Sequence, residues 1–567
     1  MDLMVGTAYC SGWANEQGEE ACGDDDKADS DGHEGCEDEG EGITQEDDGE
    51  TPQWHADLAS SSDESKSVKV FAMAAYSEAG DEPRRRLHHA LAVALPAQGH
   101  INPMMRFCKR LAAQEGFTIT FLDIISQQRQ SAAPTSDVSS NDPLHHDGKQ
   151  SSTGSAVAKE GIKLDIRRIQ MAMTELSPFY GGGPGVMELF SRALDSLAPQ
   201  MEQLLLQPHD PPITCLISDF FMTGPSQSVA DKLSLPRIAL YTSCQSRLLL
   251  TNYIQEGALP LEEVFKALEA SERLKVDILK RGLPGLPAVK LRDLTAYNGE
   301  HRFVYAWALQ ALQETKGKAH AIAINTFKEI EEAALKVNIG IPIHSVGPLV
   351  EPLENELMTG FWKEDEACML WLDSQPCSSV LYISFGSVAS LSLPQYEELV
   401  AGILSSKQRF LWVLRPNLVK DAPFSMSLEE LSSKSHDKGY VTHWAPQVKV
   451  LSHPSIGGFL THCGWNATIE SISHGVPMLC FPIFGDQFFN ATLIVEEWKV
   501  GLSLEENKES GLIKREEIER VIQILLVTKE GESLQQNIKF FRNACALNYS
   551  PEGHAFKNIQ SIVQSLK

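Results

Sequence analysis

The 567-residue chain is long enough for more than one packed core, and its formal net charge of −27 leaves no basic balance of the kind nucleic-acid binding needs. No run of ~20 apolar residues is present, so no membrane-spanning segment is expected. The 11 cysteines, an odd number scattered without a CxxC pair, read as reduced thiols in the cytoplasm rather than as a disulfide or zinc framework.

The charge is concentrated at the start. Residues 1–82 hold 24 Asp and Glu against three Lys, which is −21 of the total −27. The segment is Gly- and Ser-rich and lacks long apolar runs, so residues 1–86 are expected to form a disordered acidic tail. It has no basic region ahead of an apolar core, and its acidity argues against an organelle transit peptide. The run Asp24-Asp25-Asp26 imitates a metal-holding motif, but it lies in this tail and reads as solvated charge.

The remaining residues, about 485, suit two domains of ~200 to 250 each, and strand-like and helix-like stretches alternate through both halves. Leu87 to Leu95 is an apolar strand feeding the turn Pro96-Ala97-Gln98-Gly99-His100, and helical spacing runs from Pro103 to Ala113. His100 is therefore expected in a loop at the carboxyl end of the first strand, where open α/β sheets place ligands. Thr118 to Ile125 is the next strand, followed by an aperiodic Ser-, Asp- and His-rich loop to about Gly161. His145 and His146 in that loop lack a third ligand and give no metal site. The run Gly181 to Gly185 follows no strand and does not match GxGxxG, so no dinucleotide fingerprint is supported. The strand Ile213 to Ser218 delivers Asp219 to the same sheet edge, where spacing alone is equally consistent with a helix cap. Pro236 to Tyr241 brings Thr242 there as well. Ala321 to Phe327 is the last clear strand before the crossover Ser345 to Leu349.

A linker containing Glu and Pro then leads to a helix start at Cys368 to Asp373. Strand Val380 to Phe385 ends in Gly386-Ser387, small residues that let backbone and hydroxyl approach a phosphate. Leu411 to Leu414 is a further strand. The densest chemistry lies between Trp444 and Gln487. Within it the apolar run Gly457 to Thr461 breaks into the turn His462-Cys463-Gly464 and a helix from Trp465 to Ser473. That order gathers backbone N–H groups, a helix dipole and an imidazole at one point, which suits a phosphate or diphosphate. Two Trp, a Glu and the pair Asp486-Gln487 are residue types that stack a base, hold a ribose diol and grip sugar hydroxyls. Beyond Gln487 the chain reads as helical to about Ala546.

Almost from end to end, Trp444 to Gln487 resembles the signature box of the plant-type family 1 UDP-glycosyltransferases. PAQGHINP (96–103) and CLISDFF (215–221) resemble the acceptor-side motifs of the same family. The resemblance implies an α/β fold in the GT-B arrangement, two Rossmann-like domains facing across a cleft. Acceptor binding would then fall to 87–345 and UDP-sugar binding to 346–548, with a helix in 549–567 crossing back to the first domain. It implies His100 as catalytic base, Asp219 as its hydrogen-bond partner, and donor contacts from Thr242 and Ser387. The uracil falls on Trp444 with Gln447 beside it, the ribose hydroxyls on Glu470, and the diphosphate on His462 and Asn466. The sugar hydroxyls fall to Asp486 and Gln487 with Trp465 nearby, and Ala445 and Gly464 complete the donor set. Cys463 takes a packing role. Ala467 departs from the pattern, because the family usually has Ser there, and the missing hydrogen bond is worth ~1 kcal/mol.

The function so implied is inverting transfer of a hexose from a UDP-sugar to a hydroxyl of a small lipophilic acceptor such as a flavonoid, phenolic, terpenoid or hormone. Gln487 points to UDP-glucose as donor. No metal or other cofactor, no nucleic-acid partner and no oligomer beyond the monomer is expected. Two alternatives share the nucleotide motif, a UDP-sugar-binding regulatory protein without turnover and a UDP-sugar epimerase.

Overall fold

The computed structural model describes residues 88–114, 116–125, 164–170, 193–194, 196–260, 282–290, 293–294, 302–350, 364–419, 428–435 and 438–566. The acidic tail, the loop carrying His145 and His146, the run Gly181 to Gly185 and the linker following residue 350 lie outside these residues.

The first sheet is built from β1 (His88–Val93), β2 (Phe117–Ile125), β3 (Leu164–Gln170), β4 (Cys215–Asp219), β5 (Arg237–Tyr241), β6 (Ala321–Ile324) and β7 (Ile343–Ser345). Its order is β3-β2-β1-β4-β5-β6-β7 and its pairings are parallel. β1 and β4 are buried along their whole length, as expected of strands covered on both faces. Strand order reverses between β1 and β4, so the segments leaving their carboxyl ends diverge and open a crevice. Register places Val93 beside Ser218. The chain leading to His100 and the last residue of β4, Asp219, therefore emerge side by side.

The second sheet repeats this plan with β8 (Val380–Ser384), β9 (Arg409–Val413), β10 (Gly439–Thr442), β11 (Ile456–Thr461), β12 (Met478–Cys480) and β13 (Gly501–Ser503), in the order β10-β9-β8-β11-β12-β13. The reversal now falls between β8 and β11, with Ser384 beside Thr461. Gly386-Ser387 and His462-Cys463-Gly464 thus leave adjacent strands at the second switch point.

The helices that position the site are α1 (Gln98–Ala112), α2 (Gln245–Gln255), α3 (Lys328–Leu335), α4 (Ala367–Asp373), α5 (Gln447–Ser452), α6 (Trp465–His474) and α7 (Gln487–Thr492). They are followed by α8 (Arg515–Val527), α9 (Lys529–Tyr549) and α10 (His554–Ser565). The last of these packs on the first sheet. Ile559 and Ile562 join its core beside Val346 and Leu349, and burying two such side chains contributes roughly 3 to 6 kcal/mol. Asn558 Nδ2 donates to the backbone oxygen and hydroxyl of Ser345 at 2.8 and 3.0 Å. No described helix is long and apolar enough to cross a membrane, and every described cysteine is a free thiol.

Three sequence expectations are corrected. Helix α1 begins at Gln98, so His100 sits in its first turn rather than in a loop, and Pro103 lies inside the helix. The strand expected over Ala321 to Phe327 stops at Ile324, where Asn325 turns to accept Leu349 N–H at 2.8 Å, and β7 follows before the crossover. The stretch beyond Gln487 is interrupted by β13, which pairs Gly501 with Met478. A Cβ on Gly501 would lie 2.6 Å from Met478 O, so only glycine permits that approach.

Candidate active site

Asp219 ends β4 fully buried, and two separate donors hold its carboxylate. Phe221 N–H donates to Oδ1 at 2.9 Å, capping the turn that follows the strand. His100 Nδ1 donates to Oδ2 at 2.7 Å, and Thr242 Oγ1 lies 3.2 Å from the same ring nitrogen. Burial works to lower the imidazole pKa, but the charge and hydrogen bond of Asp219, with the charge of Asp486, outweigh it, and the net direction is upward. The hydrogen-bond network assigns the proton to Nδ1, which leaves the Nε2 lone pair as the proton acceptor. Phe221 packs edge-on against the ring, fixing its plane.

The helix that carries His100 is itself fastened to the second half of the chain. Pro103 has no N–H to donate to the carbonyl four residues back, so Gly99 O is left without its helical partner. Asn466 Nδ2, from the first turn of α6, donates to that oxygen at 2.6 Å. Six residues beyond His100, the buried Arg106 reaches Glu470 Oε1 at 3.0 Å and also donates to Leu349 O. Trp465 Nε1 donates to Asn325 O at 2.7 Å, and Ser243 Oγ donates to Asp486 Oδ2 at 2.6 Å. Asn466, Glu470 and Asp486, all expected donor contacts, thus meet the first half directly.

At the second switch point the His462 ring lies between two glycines. A Cβ on Gly386, whose φ is +67°, would fall 2.6 Å from Nε2, and one on Gly464 would fall 2.5 Å from it. Burial and then the Arg415 charge push the imidazole pKa down to about 4, so the ring is neutral at physiological pH. Its Nδ1 is buried and has no partner among the described residues. Arg415 also donates to Ser387 O at 3.1 Å, which holds the loop after β8 in place. Helix α6 has no side-chain cap at Gly464, so its first N–H groups are open to an anion. Ala467 is buried in that first turn and contributes no hydroxyl. Cys463 is buried with φ at +62°, and burial pushes its thiol up, the behaviour of a packing residue rather than a nucleophile.

Trp444 is half-buried at the end of β10, with Ala445 buried behind it. Gln447 is committed within the protein: it accepts from Tyr382 Oη at 3.2 Å and donates to Glu470 Oε2 at 2.7 Å. Gln487 Oε1 accepts from the backbone N–H groups of Ile483 and Phe484, leaving its amide nitrogen without a partner among the described residues. The indole of Trp465 is buried, and its N–H donates to Asn325 O. Arg106, Ser243, Asn325, Tyr382 and Arg415 were missed by sequence reasoning. For Arg106 a signal was present, a lone cation inside the apolar run Met104-Met105-Arg106-Phe107-Cys108 of an expected helix.

Residues 362–523 match the family model described as UDP-glucoronosyl and UDP-glucosyl transferase. UDP-glycosyltransferase 85A1 of Arabidopsis thaliana is 33% identical over 500 residues, covering 84% of this chain and 95% of that protein. The 7-deoxyloganetin glucosyltransferase of Catharanthus roseus is 29% identical over 503 residues, covering 84% and 96%. Among solved structures, a UDP-glucosyltransferase from Polygonum tinctorium capable of glucosylating indoxyl aligns with a TM-score of 0.65 at 26% identity, covering 85% of this chain and 99% of that one. Os79 from O. sativa, in complex with U2F and trichothecene, aligns with a TM-score of 0.67 at 24% identity, covering 84% and 100%.

Proposed function

Since the chain belongs to the plant family 1 UDP-glycosyltransferases, we propose that it transfers glucose from UDP-glucose to a hydroxyl of a small lipophilic acceptor, with inversion at the anomeric carbon. The observation that carries this reading is the His100–Asp219 pair at 2.7 Å, on a helix whose first turn is bonded to Asn466 of the diphosphate turn. His100 Nε2 takes the acceptor proton while the acceptor oxygen forms a bond to the anomeric carbon. The bond from that carbon to the diphosphate oxygen breaks on the opposite face, UDP leaves with the electron pair, and an α-linked donor gives a β-glycoside. Asp219 stabilises the imidazolium as it forms.

The donor is assigned to the residues around the second switch point. Trp444 stacks the uracil with Ala445 and Gln447 behind it, and Glu470 accepts from the ribose hydroxyls. The leaving diphosphate is held by His462, Asn466, Gly464, Ser387 and the open N-terminus of α6, so the reading calls on no metal. Asp486, Gln487 and Thr242 meet the sugar hydroxyls. The names of relatives that glucosylate 7-deoxyloganetin and indoxyl support a small, largely apolar acceptor and glucose as the sugar.

The test is incubation with a panel of UDP-sugars and a mixed set of phenols and terpenoid alcohols. A hexose-shifted product with stoichiometric UDP, a β anomeric coupling and fastest turnover with UDP-glucose is the expected result. UDP-glucose binding without product identifies a regulatory protein, interconversion of UDP-sugars identifies an epimerase, and a faster UDP-galactose reaction overturns the donor assignment.

A further inference from the structure

We propose that Arg106 is a positioning residue of the donor site, contributed by the acceptor half of the chain, which sets the Glu470 carboxylate for the nucleotide's ribose. This rests on the reading above that Glu470 takes the ribose diol. Arg106 lies on α1 and Glu470 on α6, and both are buried, at 4% and 6% exposure. One arm of the guanidinium, Nη1, donates to Glu470 Oε1 at 3.0 Å and to Leu349 O at 3.0 Å. The other carboxylate oxygen accepts from Gln447 Nε2 at 2.7 Å, and Gln447 is in turn held by Tyr382 Oη on β8.

The carboxylate is therefore fixed at both oxygens, and each still has a lone pair for a ribose hydroxyl. A glutamate free to rotate loses rotamer entropy on binding the diol, whereas one already clamped has lost it beforehand. Leu349 O belongs to the crossover between the two halves, which is also bonded by Arg110 through Val346 O and Pro348 O. Because Arg106 rides on the helix that carries His100, the group that reads the ribose and the group that takes the acceptor proton share one rigid support. Asn466, one turn before Glu470 on α6, grips the same helix at Gly99 O. Seating of the nucleotide and seating of the base are thereby linked through two bonds between α1 and α6.

The test compares UDP with 2′,3′-dideoxy-UDP, by calorimetry, in the wild type, Arg106→Met and Arg106→Lys, each checked for an intact melting transition. The wild type is expected to prefer UDP by about tenfold or more, the value of a hydrogen-bonded pair of hydroxyls on a charged group. Arg106→Met is expected to bring that preference to within about twofold while binding the dideoxy nucleotide within about threefold of wild type. Arg106→Lys restores part of the preference, since an ammonium keeps the charge without the planar fork. Should Arg106→Met not fold, Arg106→Lys carries the test through a preference reduced by about threefold. Equal loss of affinity for both nucleotides, or an unchanged ratio in the Lys variant, overturns the proposal. A wild type without preference for UDP instead overturns the assignment of Glu470 to the ribose.

Discussion

Replacing Asp219 by Asn exchanges one carboxylate oxygen for an NH₂ group, and the structure dictates how the new amide will sit. Phe221 N–H donates to Asp219 Oδ1 at 2.9 Å and demands an acceptor, so the oxygen of the substituted amide stays there. The amide NH₂ then faces His100 Nδ1, 2.7 Å away in the native pair. Nδ1 must become an acceptor, the ring proton moves to Nε2, and the lone pair that would receive the acceptor's proton is lost. The charge-assisted hydrogen bond removed is worth about 1.5 to 3 kcal/mol, or about 10- to 150-fold in rate. With the unfavourable tautomer added, kcat should fall by about 10² to 10⁴. Asp219 also raises the His100 pKa. A base must be neutral to act, so wild-type kcat/KM should fall as pH drops through this raised value, and in Asp219→Asn the acid limb should move to lower pH. Steady-state kinetics from pH 5 to 9, with UDP affinity measured in parallel, provide the check. A kcat within about threefold of wild type, or an acid limb that does not move, refutes the pairing.

Ala467→Ser should lower the donor KM modestly, by less than the ~1.5 to 3 kcal/mol of a hydrogen bond to a charged group, and a higher KM would mean that the buried first turn of α6 cannot seat a hydroxyl. His462 should stay neutral from pH 5.5 to 8, because burial and Arg415 push its pKa down to about 4. Its ring resonances, assigned by comparison with His462→Asn, should show no midpoint in that window, and titration near 6.5 would contradict the assignment. Deleting residues 1–82, which are acidic and poor in apolar runs, should leave kcat/KM for a small acceptor within about tenfold, and a larger loss would give the segment a part in turnover.

What could be read from the sequence follows from how each strand is buried. The strands β1, β4, β5, β8 and β11 lie inside their sheets and are buried along their whole length, which is why short hydrophobic runs located them. Strands β3, β7, β10, β12 and β13 went unread. Leu164–Gln170 carries three charges, and Ile343–Ser345, Met478–Cys480 and Gly501–Ser503 are three residues long, too short to show a period. Pro103 misdirected the start of α1, because a proline ordinarily marks the first turn. Here it sits inside the helix, and the carbonyl it frees at Gly99 is used by Asn466. His100 and Asp219 were legible as residues at the carboxyl ends of strands of one sheet, but that they pair was implied only by the resemblance to the family. Arg106, Ser243 and Asn325 were not legible, since each acts on a partner more than 100 residues away that only the packing of the two halves brings near.

The central claim is that His100 removes the acceptor proton, and the most direct measurement of it is kcat for His100→Ala on a series of hydroxyl acceptors of graded acidity, with UDP affinity measured alongside. For a weakly acidic alcohol the account predicts a loss of about 10² to 10⁴ with UDP affinity nearly unchanged, and a loss that shrinks as the acceptor hydroxyl becomes acidic enough to ionise without help. Near-wild-type turnover on the weakly acidic alcohol, or abolished UDP binding, would contradict it.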